Sequence, residues 1–192
     1  SPPVASRVYG YAGITLYESV VAGIGTHQSL AGQLSGLNTL PTARGSSHWP
    51  TVANAAMAAV CRQLFAEGSV AAKTAIDDLE ESFADEFAPA AGGAFDRSVA
   101  YGQEIGEAIY AWAYTDGFAE FNNCAHSTPV GTGLWVRTPP AFAPPVQPCW
   151  GQLRTFALSH SEECQPVLPP PYSENPQSPF YGEAREVFLT VN

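Results

Sequence analysis

Cysteine and histidine carry the most reactive chemistry in this chain of 192 residues, and their spacing bears on metal binding and on disulfide formation. No C-x-x-C pair occurs and no two histidines stand at helical spacing, although such pairs are typical of zinc sites. A disulfide within the loop-rich second half is therefore favoured over zinc, and each histidine is expected at the surface or in a hydrogen bond. The residues concerned are Cys61, Cys124, Cys149, Cys164, His27, His48, His126 and His160.

Cys149 and Cys164 are the expected disulfide pair. They flank a segment of polar and aromatic residues and would close a loop of about 15 residues, which in the chain-entropy model is worth about 3 kcal/mol. Cys124 is the competing partner for either of them. Cys61 falls in an alanine-rich helical pattern and is expected to be a free, buried thiol. Because disulfides persist in oxidising compartments, the pairing predicts an exported protein, periplasmic or extracellular.

The acidic run IDDLEESFADEF, residues 76–87, is a candidate for calcium binding. Calcium loops place oxygen ligands at alternating positions around a glycine, and this run has neither feature. A solvated face of a helix is the favoured interpretation.

Residues 133–158, GLWVRTPPAFAPPVQPCWGQLRTFAL, combine five prolines with four large aromatic residues. The prolines fix the backbone and remove donors, which excludes a helix or a central strand. A stiff, extended segment cannot form its own core, so its rings must be buried against another body. Two interpretations stay open: a belt that holds helices together, or a wall of an active-site channel or an interface. The candidate lining residues are Trp135, Phe142, Trp150 and Phe156.

The elements around this segment are helical. Apolar residues recur at helical spacing in four stretches before it and one after it. The sequence predicts an all-α fold of four or five packed helices with a long irregular strap rich in proline and aromatic residues. We expect a helical region over 1–118, the strap and its loops over 119–177, and the start of a further helix over 178–192. Together they form one domain that is incomplete by itself.

Two helices carry specific packing predictions. In the fourth helix, Gly102 and Gly106 stand four residues apart, which predicts close approach of a neighbouring helix. Ser69 is the expected N-cap of the third helix. Five apolar residues of that third helix are predicted to face the core, namely Val70, Ile76, Leu79, Phe83 and Phe87.

Charge and hydropathy exclude two classes of partner. The formal net charge of −10 opposes binding to nucleic acid, which requires basic residues against phosphates. No apolar run approaches the roughly 20 residues of a membrane span. We therefore expect neither a nucleic-acid partner nor a membrane span.

The strap resembles the W-x-x-TPP-x-F-x-PP-x-x-P-x-WG-x-x-x-x-F-x-L segment of bacterial vanadium-dependent haloperoxidase-like proteins, within the phosphatidic acid phosphatase type 2 superfamily. PPVASRVYGYAGITLYESVVAG near the start and PPPYSENPQSPFYGEAREVF near the end resemble flanking segments of that family in the same order. The resemblance implies a parent helical bundle. It also implies vanadate, or phosphate as a substrate group, as the oxyanion of the complete protein.

The family's oxyanion-binding residues lie downstream: a Lys followed by Arg-Pro, then Ser-Gly-His, then a paired Arg and His. Lys73 is the only lysine here, no arginine precedes a proline, and neither of the other motifs occurs. No catalytic, cofactor-binding or metal-binding residue can be assigned by resemblance. The chain is thus expected to be the N-terminal helical part of such a protein, haloperoxidase or acid phosphatase, and not catalytic alone.

The expected partner is the C-terminal half of such a protein or a second chain, including a second copy in a homodimer. The alternative function, from another class, is a non-catalytic helical scaffold for partner binding or dimerisation.

Overall fold

The computed structural model describes residues 1–191, and within that range the protein is all-α with no β-strand. Asn192, the last residue of the predicted final helix, lies outside the described residues. Five helices have 13 residues or more, and a sixth is a single turn. They are α1 (Pro2–Val21), α2 (Trp49–Leu64), α3 (Val70–Ala91), α4 (Phe95–Tyr114), the single turn α5 (Phe118–Phe121) and α6 (Pro179–Val191). The predicted fold class is confirmed.

The helix boundaries follow local chemistry. Prolines occupy the first turns of α1 and α2, where a missing N–H costs no hydrogen bond. The Ser69 side chain accepts a hydrogen bond from the backbone N–H of Ala72 at 3.2 Å, which confirms the predicted cap of α3. Gly92, with φ of +50°, ends α3 and begins a single 3₁₀ turn that leads into α4.

The core lies between α1, α2 and α4. Gly102 and Gly106 let α4 approach α2 closely, because a Cβ atom at Gly102 would lie 2.3 Å from the Val52 carbonyl oxygen. One at Gly106 would lie 2.5 Å from the Ala56 carbonyl oxygen. The predicted close packing at these glycines is confirmed. Around this contact lie the largest fully buried apolar side chains, Tyr11, Val52, Val60, Ile105 and Ile109.

The prediction that the apolar residues of α3 face the core is wrong. Val70 is 81% exposed, Leu79 57% and Phe83 38%. The reason is that α3 lies on the outer flank of α2, where Arg62 of α2 bonds with Asp77 and Glu80. The apolar side of α3 therefore forms one wall of an open groove instead of closing onto α1. Ile76 and Phe87 line the same groove.

The strap runs from the end of α5 to α6 with turns and one 3₁₀ turn, Trp150–Gln152, as the only regular structure described in it. It returns to the helices near residues 150–158 and then leads to α6. No residue of α6 is buried. Within residues 1–191, none of the helices combines the length and the apolar character that crossing a membrane requires.

Candidate functional site

The four aromatic residues singled out in the strap fall into two pairs with different surroundings. Phe156 lies against the helices, with its ring centroid 5.1 Å from that of Tyr11 and 5.4 Å from that of Trp112. Trp150 is half-buried and meets Phe118 of α5 edge-on at 6.4 Å. These two rings attach the strap to the helical body.

Trp135 and Phe142 instead project outward, with 51% and 55% of their surfaces exposed. Open cavities of about 820 and 670 Å³ lie beside Trp135. His126 and Val146 line both of them. Exposed aromatic rings of this kind are typical of a surface that meets another body.

A buried polar cluster lies where the strap meets the helices. The Arg7 Nε atom donates to Asp116 Oδ2 at 2.6 Å, and the Tyr11 hydroxyl donates to the same oxygen at 2.9 Å. Asp116 Oδ1 accepts the backbone N–H of Phe118 at 2.8 Å. Asp116 therefore ties α1 to the end of α4 and fixes the start of α5.

Arg154 connects the strap to this cluster. Its backbone N–H donates to the Asp116 carbonyl oxygen at 2.9 Å. Its Nη2 atom donates to the Trp112 carbonyl oxygen at 2.6 Å, and its Nη1 atom donates to Thr115 Oγ1 at 2.8 Å. The guanidinium carbon also lies 4.8 Å from the centroid of the Trp112 ring, a cation–π contact. Hydrogen bonds and a cation–π contact of Arg154, together with the ring of Phe156, thus hold this point of the strap.

Burial raises the pKa of the Tyr11 hydroxyl above its usual range, and the charge and hydrogen bond of Asp116 add to the effect. Tyr11 therefore stays protonated and donates to Asp116 at neutral pH. Beside the cluster lies a cavity of about 400 Å³, lined by Arg7, Arg154 and Phe156 among others. The cluster positions the strap at the mouth of this cavity.

Most of the guanidinium donors in the cluster are taken by protein oxygens, although Arg154 Nε is buried without a hydrogen-bond partner among the described residues. Arg7 donates to Asp116 and, through Nη2, to the Ala113 carbonyl oxygen at 2.9 Å. Both Nη atoms of Arg154 donate to protein oxygens. Clamping an oxyanion needs guanidinium donors that face it, so we assign no oxyanion ligand here. Residues 1–191 also contain no group of three or more His, Cys, Asp or Glu side chains that could hold a metal ion.

The predicted disulfide between Cys149 and Cys164 is wrong. Cys149 pairs with Cys124, with their Cα atoms 6.3 Å apart, and Cys164 is a free, exposed thiol. The contact of Phe118 with Trp150 explains the choice, because it brings the chain after α5 beside residue 149. Cys61 is free, as expected, but only partly buried. The disulfide closes the outer loop of the strap, which carries Trp135.

Sequence patterns did not single out the Asp116 cluster. Arg7 and Tyr11 are four residues apart on α1, so they share one face of the helix. This spacing can be read from the sequence. Asp116 and Arg154 are isolated charges in the sequence, and nothing local pairs them with α1. Their contacts span more than a hundred residues.

Comparison with known proteins identifies the fold of this chain. No family model matches the chain, and no curated protein sequence matches it. Among solved structures, the chain is similar to one described as the crystal structure of the first bacterial vanadium-dependent iodoperoxidase. The sequence identity is 31%, the TM-score is 0.84, and the match covers 98% of this chain. This chain spans 44% of the iodoperoxidase chain, less than half its length. Over the part that it spans, the helical fold is that of a vanadium haloperoxidase.

Proposed function

We propose that this chain is the N-terminal helical part of a vanadium-dependent haloperoxidase-like protein and does not catalyse the reaction alone. The observation that carries the proposal is the similarity to the iodoperoxidase over almost the whole chain, at 31% identity and a TM-score of 0.84. At this identity the likeness extends to the sequence and not only to the backbone. The strap motif and its two flanking segments support the same assignment.

The role of this part is to build and hold the strap. The Asp116 cluster and Phe156 fix its inner end, while Trp135 and Phe142 project toward whatever body completes the protein. In the complete protein these rings are a wall of the channel or of the interface beside the oxyanion site. Rigid prolines and apolar rings there would keep the surface dry and fixed in shape.

Vanadate is the cofactor that we propose for the complete protein, and its ligands come from outside these 192 residues. The Lys, Arg-Pro, Ser-Gly-His and Arg/His elements that the resemblance implies do not occur in the chain. When bound, vanadate would supply peroxide activation for halide oxidation. The residues described here would orient the strap beside it.

Halide oxidation is favoured over phosphoester hydrolysis, since the similar structure is described as an iodoperoxidase. We also propose that the protein is exported, because the Cys124–Cys149 disulfide requires an oxidising compartment.

The experiment compares two proteins made from the same gene. One is the chain of 192 residues, and the other extends through the coding sequence downstream of Asn192. Both are incubated with vanadate, iodide and hydrogen peroxide, and triiodide formation is followed. Turnover is expected only from the longer protein and only with vanadate. Turnover by the shorter chain contradicts the proposal, and so does a longer product that lacks the oxyanion-binding motifs.

A further inference from the structure

The charged residues of α1 face the inside of the protein. Arg7 and Glu18 are the only charged residues in this helix of 20 residues. Arg7 pairs with Asp116, and Glu18 Oε1 accepts the backbone N–H of Leu30 at 2.6 Å. Both side chains are largely buried. The two charges of α1 are therefore used for contacts within the chain itself.

The opposite side of α1, a helix that the structure describes in full, carries no charged residue. At about 100° per residue, Arg7 and Glu18 lie roughly 160–180° around the helix from Tyr9. Tyr9 is 77% exposed, and Leu16, seven residues later on the same side, is 47% exposed. A helix at a protein surface normally turns its charged residues to the solvent, so this arrangement indicates that a further layer covers α1. The exposed residues of the helix are Pro2, Ala5, Ser6, Tyr9, Gly13 and Leu16.

The helix α4 shows the ordinary arrangement in the same body. Like α1, it packs on α2. Its exposed residues include Gln103 and Glu107, while Ile105 and Ile109 are buried. Packing on α2 therefore does not account for the uncharged outer side of α1.

The outer side of α1 continues into the open groove beside α3, which has a volume of about 400 Å³. Asn54 and Glu80 lie in this groove, but the Asn54 Nδ2 atom donates to the Glu80 carbonyl oxygen at 2.9 Å, and the Glu80 carboxylate accepts a bond from Arg62. The two surfaces join at Leu16 and form one apolar face. We define the α1–α3 groove by its apolar lining residues Leu16, Met57, Cys61, Leu79, Phe83 and Phe87.

The comparison with the iodoperoxidase indicates what covers this face. More than half of the iodoperoxidase chain has no counterpart in the 192 residues, so a complete protein of this kind has a further part that must pack on this one. Apolar sides of helices are buried when the layers of a domain are complete. A channel between two helices accepts the side-chain ridges of a third helix.

We propose that a helix from the part of the complete protein downstream of Asn192 packs along the uncharged side of α1 and into the α1–α3 groove. The helix α1 is then a central helix, with the Asp116 cluster on one side and the downstream helix on the other. The downstream helix turns an apolar side to Tyr9 and Leu16, because a charge buried there would have no partner on α1. This docking rests on the proposed function, which makes the chain one part of a longer protein.

Gly13 marks the point of closest approach. It lies between Tyr9 and Leu16 on the exposed side, and a Cβ atom built there meets no atom within 4 Å. In this chain the glycine therefore only weakens the helix relative to alanine. At Gly102 and Gly106 of α4, by contrast, glycine makes room for the backbone of α2. We expect the downstream helix to cross α1 at Gly13 in the same way.

The substitution Tyr9→Glu is compared in the chain of 192 residues and in the longer protein that extends through the downstream coding sequence. In the shorter chain the glutamate stays in water, and the midpoint of thermal unfolding should move by less than about 2 °C. In the longer protein it buries an unpaired charge, and the midpoint should fall by roughly 5 °C or more.

Tyr114→Glu is the matched control, because Tyr114 is 67% exposed at the end of α4. It should move both midpoints by less than about 2 °C. If Tyr9→Glu is tolerated in the longer protein as well as Tyr114→Glu is, the proposal is overturned. Gly13→Ala should raise the midpoint of the shorter chain and lower that of the longer protein, and a rise in both would overturn the crossing at Gly13.

Cys61 gives a readout that needs no substitution. It lines the α1–α3 groove, so a maleimide should alkylate it roughly tenfold more slowly, or slower still, in the longer protein than in the shorter chain. Mass spectrometry of the Cys61 peptide measures both rates, and equal rates overturn the proposal. A dimer of the shorter chain that Tyr9→Glu dissociates in sedimentation velocity would assign the face to a second copy and would also overturn it.

Vanadate-dependent iodide oxidation by the unsubstituted longer protein separates this inference from the proposed function. Turnover combined with an unprotected Cys61 and a tolerated Tyr9→Glu would overturn the docking and leave the proposed function standing. Protection of Cys61 and loss of stability in Tyr9→Glu without any turnover would support the docking and contradict the proposed activity.

Discussion

Arg7 and Asp116 form a buried ion pair between the first turns of α1 and the end of α4, with Nε and Oδ2 2.6 Å apart across 109 residues of sequence. The Arg7 side chain is 11% exposed and the Asp116 side chain 3%. The same carboxylate accepts the Tyr11 hydroxyl, and the backbone of Asp116 accepts Arg154 of the strap. Asp116 therefore links α1 and the end of α4 to the strap.

Asp116→Ala should lower the free energy of unfolding by about 3–5 kcal/mol, because it leaves the Arg7 charge buried without its partner. Arg62→Ala is the matched control, since Arg62 also pairs with carboxylates but at the surface. The Arg62→Ala substitution should lower the free energy of unfolding by at most about 1 kcal/mol. Urea unfolding followed by circular dichroism measures both. Equal losses in the two variants would contradict the role of Asp116 as the link.

Gly102→Ala should destabilise the protein, since the added methyl group would lie 2.3 Å from the Val52 carbonyl oxygen and force α2 and α4 apart. Overpacking of this kind costs typically about 1–3 kcal/mol. Gly13→Ala on α1 has no atom within 4 Å of the new Cβ and should stabilise the helix by about 0.5–1 kcal/mol. The midpoint of thermal unfolding should move in opposite directions in the two variants. A shift of the same sign in both variants would contradict the close contact between α2 and α4 at Gly102.

Stability should fall at alkaline pH because of Tyr11. In the unfolded chain a tyrosine loses its proton near pH 10, while burial holds the pKa of Tyr11 higher in the folded protein. Above pH 10 the unfolded state therefore binds fewer protons, and the free energy of unfolding decreases as pH rises toward the folded pKa. Tyr11→Phe should make this decrease shallower. The measurement is urea unfolding at a series of pH values from 8 upward, roughly spanning that window. An unchanged slope in Tyr11→Phe would rule out this cause.

Reduction of the Cys124–Cys149 disulfide should loosen the outer loop of the strap and leave the helices intact. The bond joins residues with a sequence separation of 25. In the chain-entropy model, closing a loop of this length stabilises the folded loop by roughly 3–4 kcal/mol relative to the reduced chain. Trypsin should cut after Arg137 several-fold faster in the reduced protein, while the helical circular dichroism stays the same. Cys164→Ser should behave as the wild type does. Cleavage at one rate in both redox states would show that the bond does not order this loop.

Local patterns predicted the helices well because each was set by neighbouring residues. Ser69 caps α3 through a bond to a residue three positions on, and Gly102 and Gly106 lie on one helix face by spacing alone. These contacts need no knowledge of the rest of the fold. The resemblance of the strap and its flanks to one family added the fold, which the comparison with solved structures supports.

Long-range contacts were not predictable from the same patterns. The apolar spacing of α3 correctly indicated a helix with one apolar side, yet periodicity does not say what that side faces. Asp116 has no sequence signal for its partners on α1. The choice of Cys124 over Cys164 depends on how α5 meets the strap, through Phe118 and Trp150, and no local pattern indicates that contact.

Vanadate-dependent iodide oxidation is the most direct measure of whether the oxyanion site lies outside these 192 residues. The purified chain of 192 residues and the protein that extends beyond Asn192 are each given vanadate, peroxide and iodide, with vanadium NMR to detect bound vanadate. Neither bound vanadate nor triiodide is expected with the shorter chain, and both are expected with the longer one. Vanadate-dependent turnover by the shorter chain, or none by the longer protein, would show that the oxyanion site is not where we propose.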